Sequence, residues 1–121
     1  MYAEAMPHLQ LEYGGDVAEK GELKSILEEL VAKAGTFDTV ASKALKAYVR
    51  ESPVWTTGEG HPPGFVHLTF CVLEGRSIDL LGQMADGLYE VLKSRFATSV
   101  DRGSVALSLE VRLMMASTYR K

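Results

Sequence analysis

The sequence has only one cysteine, Cys71, among its 121 residues. An intrachain disulfide and a zinc site built from several thiolates are therefore both excluded. Cys71 lies within the apolar stretch FVHLTFCVL, where a buried structural thiol is more common than a reactive nucleophile. We therefore expect this side chain to belong to the core.

Long apolar runs and an excess of positive charge are also missing. No run approaches the roughly 20 residues that cross a bilayer, and no basic segment followed by a hydrophobic stretch begins the chain. We therefore expect a cytoplasmic protein. The 13 basic and 16 acidic residues give a formal net charge of -3, which provides no basic field for a phosphate backbone. Neither nucleic acid nor a membrane is an expected partner.

The remaining composition is that of one globular domain. Hydrophobic residues make up 46% of the chain and charged residues 24%, which is typical of folded rather than disordered sequences. A length of 121 residues corresponds to about one domain. We predict a single domain over residues 7–121, preceded by an N-terminal leader of residues 1–6.

Hydrophobic periodicity predicts two similar halves. Strict alternation predicts a strand over residues 7–13, and apolar residues at helical spacing then predict a helix over residues 23–34 that ends at Gly35. The intervening GGD is a turn signal that can also cap the helix. Residues 45–49 are predicted as a second strand, residues 65–73 as a buried central strand, and residues 105–113 as an alternating last strand. Ser77 is the predicted N-cap of a second helix that extends to Phe96.

The two halves indicate a duplicated β-α-β unit. An offset of 59 residues places His8 on His67 and Leu9 on Leu68, each in a strand that precedes a long helix. The predicted fold is α+β, with a four-stranded sheet and both helices on one of its faces. Because the other face lacks a cover, we expect self-association. The pattern allows His8 and His67 to face each other across adjacent strands, and such a pair without a third ligand is more often structural than metal-binding.

Several segments resemble one protein family. MPHLQLEY near the start, GFVHLTFCVLEGRS in the middle, ALSLEVR and the final YRK are similar to 5-carboxymethyl-2-hydroxymuconate isomerases of the tautomerase superfamily. The resemblance runs from residue 6 to residue 121 and is weakest over residues 36–63. It implies the duplicated β-α-β fold, a homotrimer, no cofactor or metal, and isomerisation of an unsaturated multi-carboxylate in aromatic-acid breakdown.

The resemblance implies that Pro7 is the catalytic base. Family members use an N-terminal proline, whose secondary amine can have a pKa close to neutrality in an apolar, positively charged site. This role requires a chain that starts at Met6 and then loses that methionine, which is the start we expect. The alternative is a genuine extension from Met1 that removes the activity. Independently of the family, a proline also suits the first position of an edge strand.

Two basic residues complete the predicted site. Arg76, in LEGRS, matches an arginine of the family's active-site region, and its planar fork can bind a carboxylate bidentately. The family's second arginine has no clear counterpart: counting back from Trp55 gives Lys46, counting forward from Phe37 gives residues 41–43, and Arg50 is a further candidate. We therefore predict Pro7 as catalytic and Arg76 and Lys46 as substrate-binding.

Two other functions are compatible with the sequence. One is a catalytically inactive trimeric ligand-binding protein of the same fold, which is favoured by the retained leader and the missing second arginine. The other is a tautomerase for a different dienol diacid, which would differ only in the chemistry of its pocket.

Overall fold

The structure, a computed structural model, describes residues 6–121. The predicted leader falls almost wholly outside the described residues, which include only Met6 of it. The main elements, in chain order, are β1 (His8–Gly14), α1 (Leu23–Ala34), β2 (Lys46–Glu51), β3 (Gly64–Leu73), α2 (Ile78–Arg95), α3 (Ala97–Asp101) and β4 (Val105–Met114). Short 3-10 helices occupy Lys20–Glu22 and Ser42–Ala44.

The sheet confirms the predicted duplication. Its strand order is β2-β1-β3-β4, in which β1 and β2 are parallel, β3 and β4 are parallel, and the two central strands are antiparallel. Each half is thus a β-α-β unit, and the two units meet through β1 and β3. The long apolar strand β3 occupies a central position, as its composition predicted.

One core lies between the sheet and the two long helices. Alternate residues of β1 and β3 are fully buried, and Leu9 pairs in register with Phe70 as Leu11 does with Leu68. The helices contribute the buried side chains Ile26, Leu30, Ala34, Met84, Leu88, Val91 and Leu92. Each fully buried leucine or phenylalanine contributes about 1.5–3 kcal/mol to the stability of the fold. The buried side chains of the two helices are therefore the main reason that the helices pack against the sheet.

The helix ends agree with the sequence in part. Ser77 caps α2, because its Oγ accepts a hydrogen bond from the Leu80 amide at 3.2 Å. Gly35 is the C-cap residue of α1, and its amide donates to the carbonyl of Val31. The GGD turn does not cap α1, which begins only at Leu23 after the 3-10 turn. Asp16 is too early in the chain to accept from the first amides of the helix.

The face of the sheet opposite the helices carries mostly polar pairs. Tyr48 donates to Gln10 at 3.1 Å across β2 and β1, and His67 Nδ1 lies 2.6 Å from Ser108 Oγ across β3 and β4. Cys71 lies on the same face with only 8% of its surface exposed, which confirms a buried thiol. Burial raises the pKa of that thiol, against a lowering by Arg112.

The two histidines do not face each other. His8 pairs with Cys71, and His67 pairs with Glu12, four residues further along β1. His8 and His67 occupy equivalent positions in the two halves, but β1 and β3 are antiparallel, so the register of these strands separates the two residues. Among residues 6–121 no three His, Cys, Asp or Glu side chains come close enough together to hold a metal ion. In the same range, no helix is both long and apolar enough to cross a membrane.

Candidate active site

Strand direction brings the three predicted site residues to one end of the sheet. β1 and β2 both begin at this end, whereas β3 and β4, which run the opposite way, both finish there. Pro7 immediately precedes β1, Lys46 is the first residue of β2, and Arg76 lies three residues beyond β3. Residues that are distant in the sequence therefore lie at the same end of the sheet.

Pro7 is buried and is fixed through its carbonyl group. The Lys46 amide donates to the Pro7 carbonyl at 3.3 Å, which extends the parallel ladder between β1 and β2 by one step. The proline nitrogen has no N–H to donate, so no ladder bond is lost at this position. The preceding Met6 amide donates to the phenol oxygen of Tyr119 at 2.9 Å.

Arg76 ties two segments together at this end. Its Nη1 donates to the Leu73 carbonyl at 2.8 Å, at the last residue of β3. Its Nε donates to Thr39 Oγ1 at 2.8 Å and its Nη2 to the Thr39 carbonyl at 2.9 Å. Arg76 is partly buried, and its planar fork thus holds the loop between α1 and β2 against the end of β3.

The Thr39 backbone is strained where Arg76 holds it. Thr39 has a φ of 70°, a left-handed conformation that is rare for a β-branched residue and costs about 1–2 kcal/mol. Such strain persists only where the surroundings over-determine it. Here two hydrogen bonds from the Arg76 guanidinium, one to the side chain of Thr39 and one to its carbonyl, hold the residue in this conformation.

The candidates for a second basic group now have distinct places. Lys46 is exposed and pairs in register with His8, so it lies beside Pro7. Lys43 lies in the exposed 3-10 turn just before β2. Arg50 is four residues further along β2, about 13 Å from Lys46 at the rise of a strand, and its guanidinium lies 5.9 Å from the centre of the Tyr48 ring. Arg50 is therefore remote from Pro7.

A groove of about 330 Å³ runs beside the start of β2. It lies between α1 and the outer edge of the sheet, and Leu27 and Val31 form its apolar wall, with Lys46 at its border. The groove is open to solvent and follows the edge strand. It adds an apolar surface next to Lys46.

Sequence reasoning missed two residues at this end. Nothing in the sequence distinguishes Thr39, because a β-branched residue is a poor candidate for positive φ and its contact with Arg76 spans 37 residues. Tyr119 was visible as part of the final YRK, but its proximity to Met6 depends on a chain reversal after β4 that no periodicity predicts.

This end of the sheet is suited to an acidic ligand. Arg76 and Lys46 supply positive charge, and Pro7 supplies a ring nitrogen that would be a secondary amine at a chain terminus. A guanidinium keeps its charge at any working pH and favours a carboxylate or a developing oxyanion. Proton transfer by a nitrogen base beside cations is the chemistry that these groups allow.

Comparison with known proteins identifies the family of the chain. The family model described as 5-carboxymethyl-2-hydroxymuconate isomerase matches residues 7–121. A 5-carboxymethyl-2-hydroxymuconate Delta-isomerase of Escherichia coli is 26% identical over 110 residues, which cover 88% of this chain and 85% of that protein.

Solved structures show the same architecture. The crystal structure of a 5-carboxymethyl-2-hydroxymuconate isomerase from Deinococcus radiodurans R1 is similar with a TM-score of 0.84 and 27% identity, over 99% of this chain and 91% of that one. A structure described as a fused 4-OT symmetric trimer has a TM-score of 0.67 at 14% identity, over 94% of this chain and 90% of that one. This second likeness concerns the fold alone.

Proposed function

The chain belongs to the 5-carboxymethyl-2-hydroxymuconate isomerase family, and we propose that it moves a proton along an unsaturated multi-carboxylate such as 5-carboxymethyl-2-hydroxymuconate. One observation carries the proposal: the family match begins at Pro7 and extends through Lys121. The convergence of Pro7, Arg76 and Lys46 at one end of the sheet supports it. A cytoplasmic place in aromatic-acid breakdown remains a prediction.

The proposed reaction is an internal proton transfer. The Pro7 nitrogen takes the hydroxyl proton of the dienol, which leaves a dienolate, and the prolinium then delivers that proton to a carbon of the conjugated chain. The substrate neither gains nor loses atoms, because the proton that Pro7 removes is the proton that it returns. A single base is therefore sufficient. Positioned bases of this kind contribute about 10²–10⁴-fold to the rate.

Arg76 and Lys46 bind the substrate in this proposal. The charge of Arg76 attracts a carboxylate and stabilises the oxyanion of the dienolate, and the contacts with Thr39 and Leu73 fix where that charge lies. Lys46 supplies a second charge without the bidentate fork of an arginine. A lysine at this position is expected to bind one carboxylate oxygen rather than to orient the whole group.

The proposal requires a free amine on Pro7. In the chain described here the Pro7 nitrogen is an amide, which is not basic. We therefore propose that the working protein starts at Met6 and that this methionine is removed, because a small second residue such as proline lets the aminopeptidase reach the bond.

We also propose that the chain assembles as a homotrimer. The sheet face opposite the helices is uncovered in one protomer, although Thr69 and Cys71 on it are already nearly inaccessible. Association through this face would remove its remaining exposed side chains from water. Light scattering coupled to size-exclusion chromatography should give three times the protomer mass, which is 13.2 kDa for the 121-residue chain and slightly less for a chain that begins at Pro7. A monomer would contradict the proposal.

Two measurements test the enzyme assignment. The intact mass of natively expressed protein should correspond to a chain beginning at Pro7. On that material, Pro7→Ala should lower kcat/KM for ketonisation of a 2-hydroxymuconate-type dienol by about 10²-fold or more. Pro53→Ala removes an exposed loop proline and serves as the control. A chain processed to Pro7 that converts none of these dienols would refute the isomerase function.

A binding protein of the same fold is the second candidate. The observation in its favour is the bond between the Met6 amide and Tyr119, which holds a residue of the leader next to Pro7. A native mass that retains Met1 or Tyr2 would support this candidate and exclude catalysis by Pro7. A third candidate, a tautomerase for another dienol diacid, would show the same mass and a different substrate preference.

A further inference from the structure

The C-terminal segment after β4, residues 115–121, turns back over the end of the sheet where β1 begins. The Ala116 amide donates to Glu74 Oε2 at 2.6 Å, and Glu74 follows β3 directly. The Tyr119 amide donates to the Met115 carbonyl at 3.0 Å, which closes a turn. These bonds hold the half-buried Tyr119 with its phenol oxygen 2.9 Å from the Met6 nitrogen.

We propose that Tyr119 is a positioning residue for the Pro7 amine, and that its phenol oxygen accepts a hydrogen bond from the protonated amine when Pro7 is the first residue. The inference rests on the proposed function in one respect, because it requires a chain that begins at Pro7. The bond to Met6 shows that the oxygen already accepts from an N–H group at this place.

The covalent geometry limits how far the phenol oxygen is from Pro7. Three bonds separate the nitrogens of Met6 and Pro7, so these two atoms are at most about 3.7 Å apart. The phenol oxygen of Tyr119 therefore lies within about 7 Å of the Pro7 nitrogen by the same arithmetic. This figure is an upper limit, and one bridging water joins polar atoms about 5.5 Å apart. A water with a small shift of the phenol, or a larger rotation of Tyr119 that gives a direct hydrogen bond, therefore connects the two atoms once Met6 is removed.

The expected consequence is a change in the acidity of the prolinium. A hydrogen bond accepted from the charged form stabilises it and raises the pKa of the amine. Positive charges at the same end act in the opposite direction and favour the neutral amine. The titratable and charged groups at the ends of the elements that meet here are His8, Asp38, Lys43, Lys46, Cys71, Glu74, Arg76, Arg112, Arg120 and Lys121. Tyr119 would thus keep the pKa of Pro7 near the working pH, where the nitrogen can both accept and return a proton.

The test is a titration of the amine itself. Chains expressed from the Met6 codon, with nitrogen-15 in their prolines, are compared as the unaltered protein, Tyr119→Phe and Tyr89→Phe. Only Pro7 has an ionisable nitrogen, because Pro53, Pro62 and Pro63 are internal amides. We expect Tyr119→Phe to lower the pKa of Pro7 by about one, a tenfold change in the dissociation constant. Tyr89→Phe removes a phenol from α2 and should leave the pKa unchanged.

The acid limb of the kcat/KM profile should move to lower pH by the same amount in Tyr119→Phe. An unchanged or raised pKa of Pro7 in that variant, with thermal unfolding equal to that of the unaltered protein, would overturn the proposal. The titration needs no substrate, so the two ideas can fail separately. A lowered pKa without turnover of any dienol refutes the isomerase function only, whereas turnover with an unchanged pKa refutes the role of Tyr119 only.

Discussion

Replacement of Arg76 by alanine should destabilise the protein even without substrate. The change removes three hydrogen bonds, one to the Leu73 carbonyl and two to Thr39. A typical hydrogen bond contributes about 1 kcal/mol net, and the three together about 3 kcal/mol. Release of the left-handed Thr39 returns about 1 kcal/mol of strain. We therefore expect a loss of about 2 kcal/mol in the free energy of unfolding.

Two variants of Thr39 separate the hydrogen bond from the strain. Thr39→Val keeps the β-branched shape and the strained φ but loses the hydroxyl that accepts from Arg76 Nε, so it should cost about 1 kcal/mol. Thr39→Gly loses the same bond and relieves the strain, so it should lie within about 1 kcal/mol of the unaltered protein. Both variants should raise KM for a carboxylate substrate, because the charge of Arg76 is then held less firmly.

Urea unfolding at a fixed protomer concentration measures these differences, since the stability of an oligomer depends on concentration. Arg102→Ala, at an exposed arginine in the turn after α3, is the control and should change stability by less than about 0.5 kcal/mol. If Arg76→Ala is as stable as this control, the three contacts contribute nothing to the fold. The argument that Thr39 fixes the charge of Arg76 would then be wrong.

Three further predictions test the fold. Leu68→Ala should cost about 3 kcal/mol in urea unfolding, because Leu68 is fully buried, whereas Leu113→Ala, at 47% exposure, should cost far less; equal losses would contradict the difference in burial between these two positions. Ser77→Ala should lower the stability measured by thermal unfolding by about 1 kcal/mol, whereas Ser77→Asp, which can still accept from the Leu80 amide, should not. A Ser77→Ala variant as stable as the unaltered protein would show that this bond is unimportant. Burial raises the pKa of Cys71, so the native thiol stays protonated at a pH where the unfolded thiol ionises. Its contribution to stability is complete below about pH 8.5 and is lost as the pH rises through the folded pKa; Cys71→Ala should weaken this alkaline decline, and an identical decline would refute the assignment.

Periodicity was sufficient to predict the fold because burial here is regular. The alternation in β1 and β4 and the helical spacing in α1 and α2 each report one buried face, and the repeat of the pattern indicated the duplication. Strand direction then follows from the β-α-β connection, which requires parallel strands within each half. This places Pro7 and Lys46 at one end of the sheet, whereas Arg76 lies at that end only because β1 and β3 meet antiparallel, which periodicity does not predict.

The errors concern features that sequence spacing does not encode. His8 and His67 do not face each other because the register of two antiparallel strands depends on where the halves meet, and this differs from the offset that aligns them. Capping of α1 by the GGD turn failed because a 3-10 turn at Lys20–Glu22 delays the helix. The short helix α3 has too few residues to show a period.

The sequence indicated which residues could belong to the site, but not which contacts hold them in place. Arg76 was expected to bind a substrate carboxylate, and its contacts with Thr39 and Leu73 also give it a structural role. Thr39 lies within residues 36–63, where the likeness to the family is weakest. The position of the best-matched arginine therefore depends on the least family-like segment of the chain. We therefore predict that substitutions in this loop change the substrate preference of this chain while Pro7 and Arg76 are retained, because a small displacement of one guanidinium alters which carboxylate it can reach.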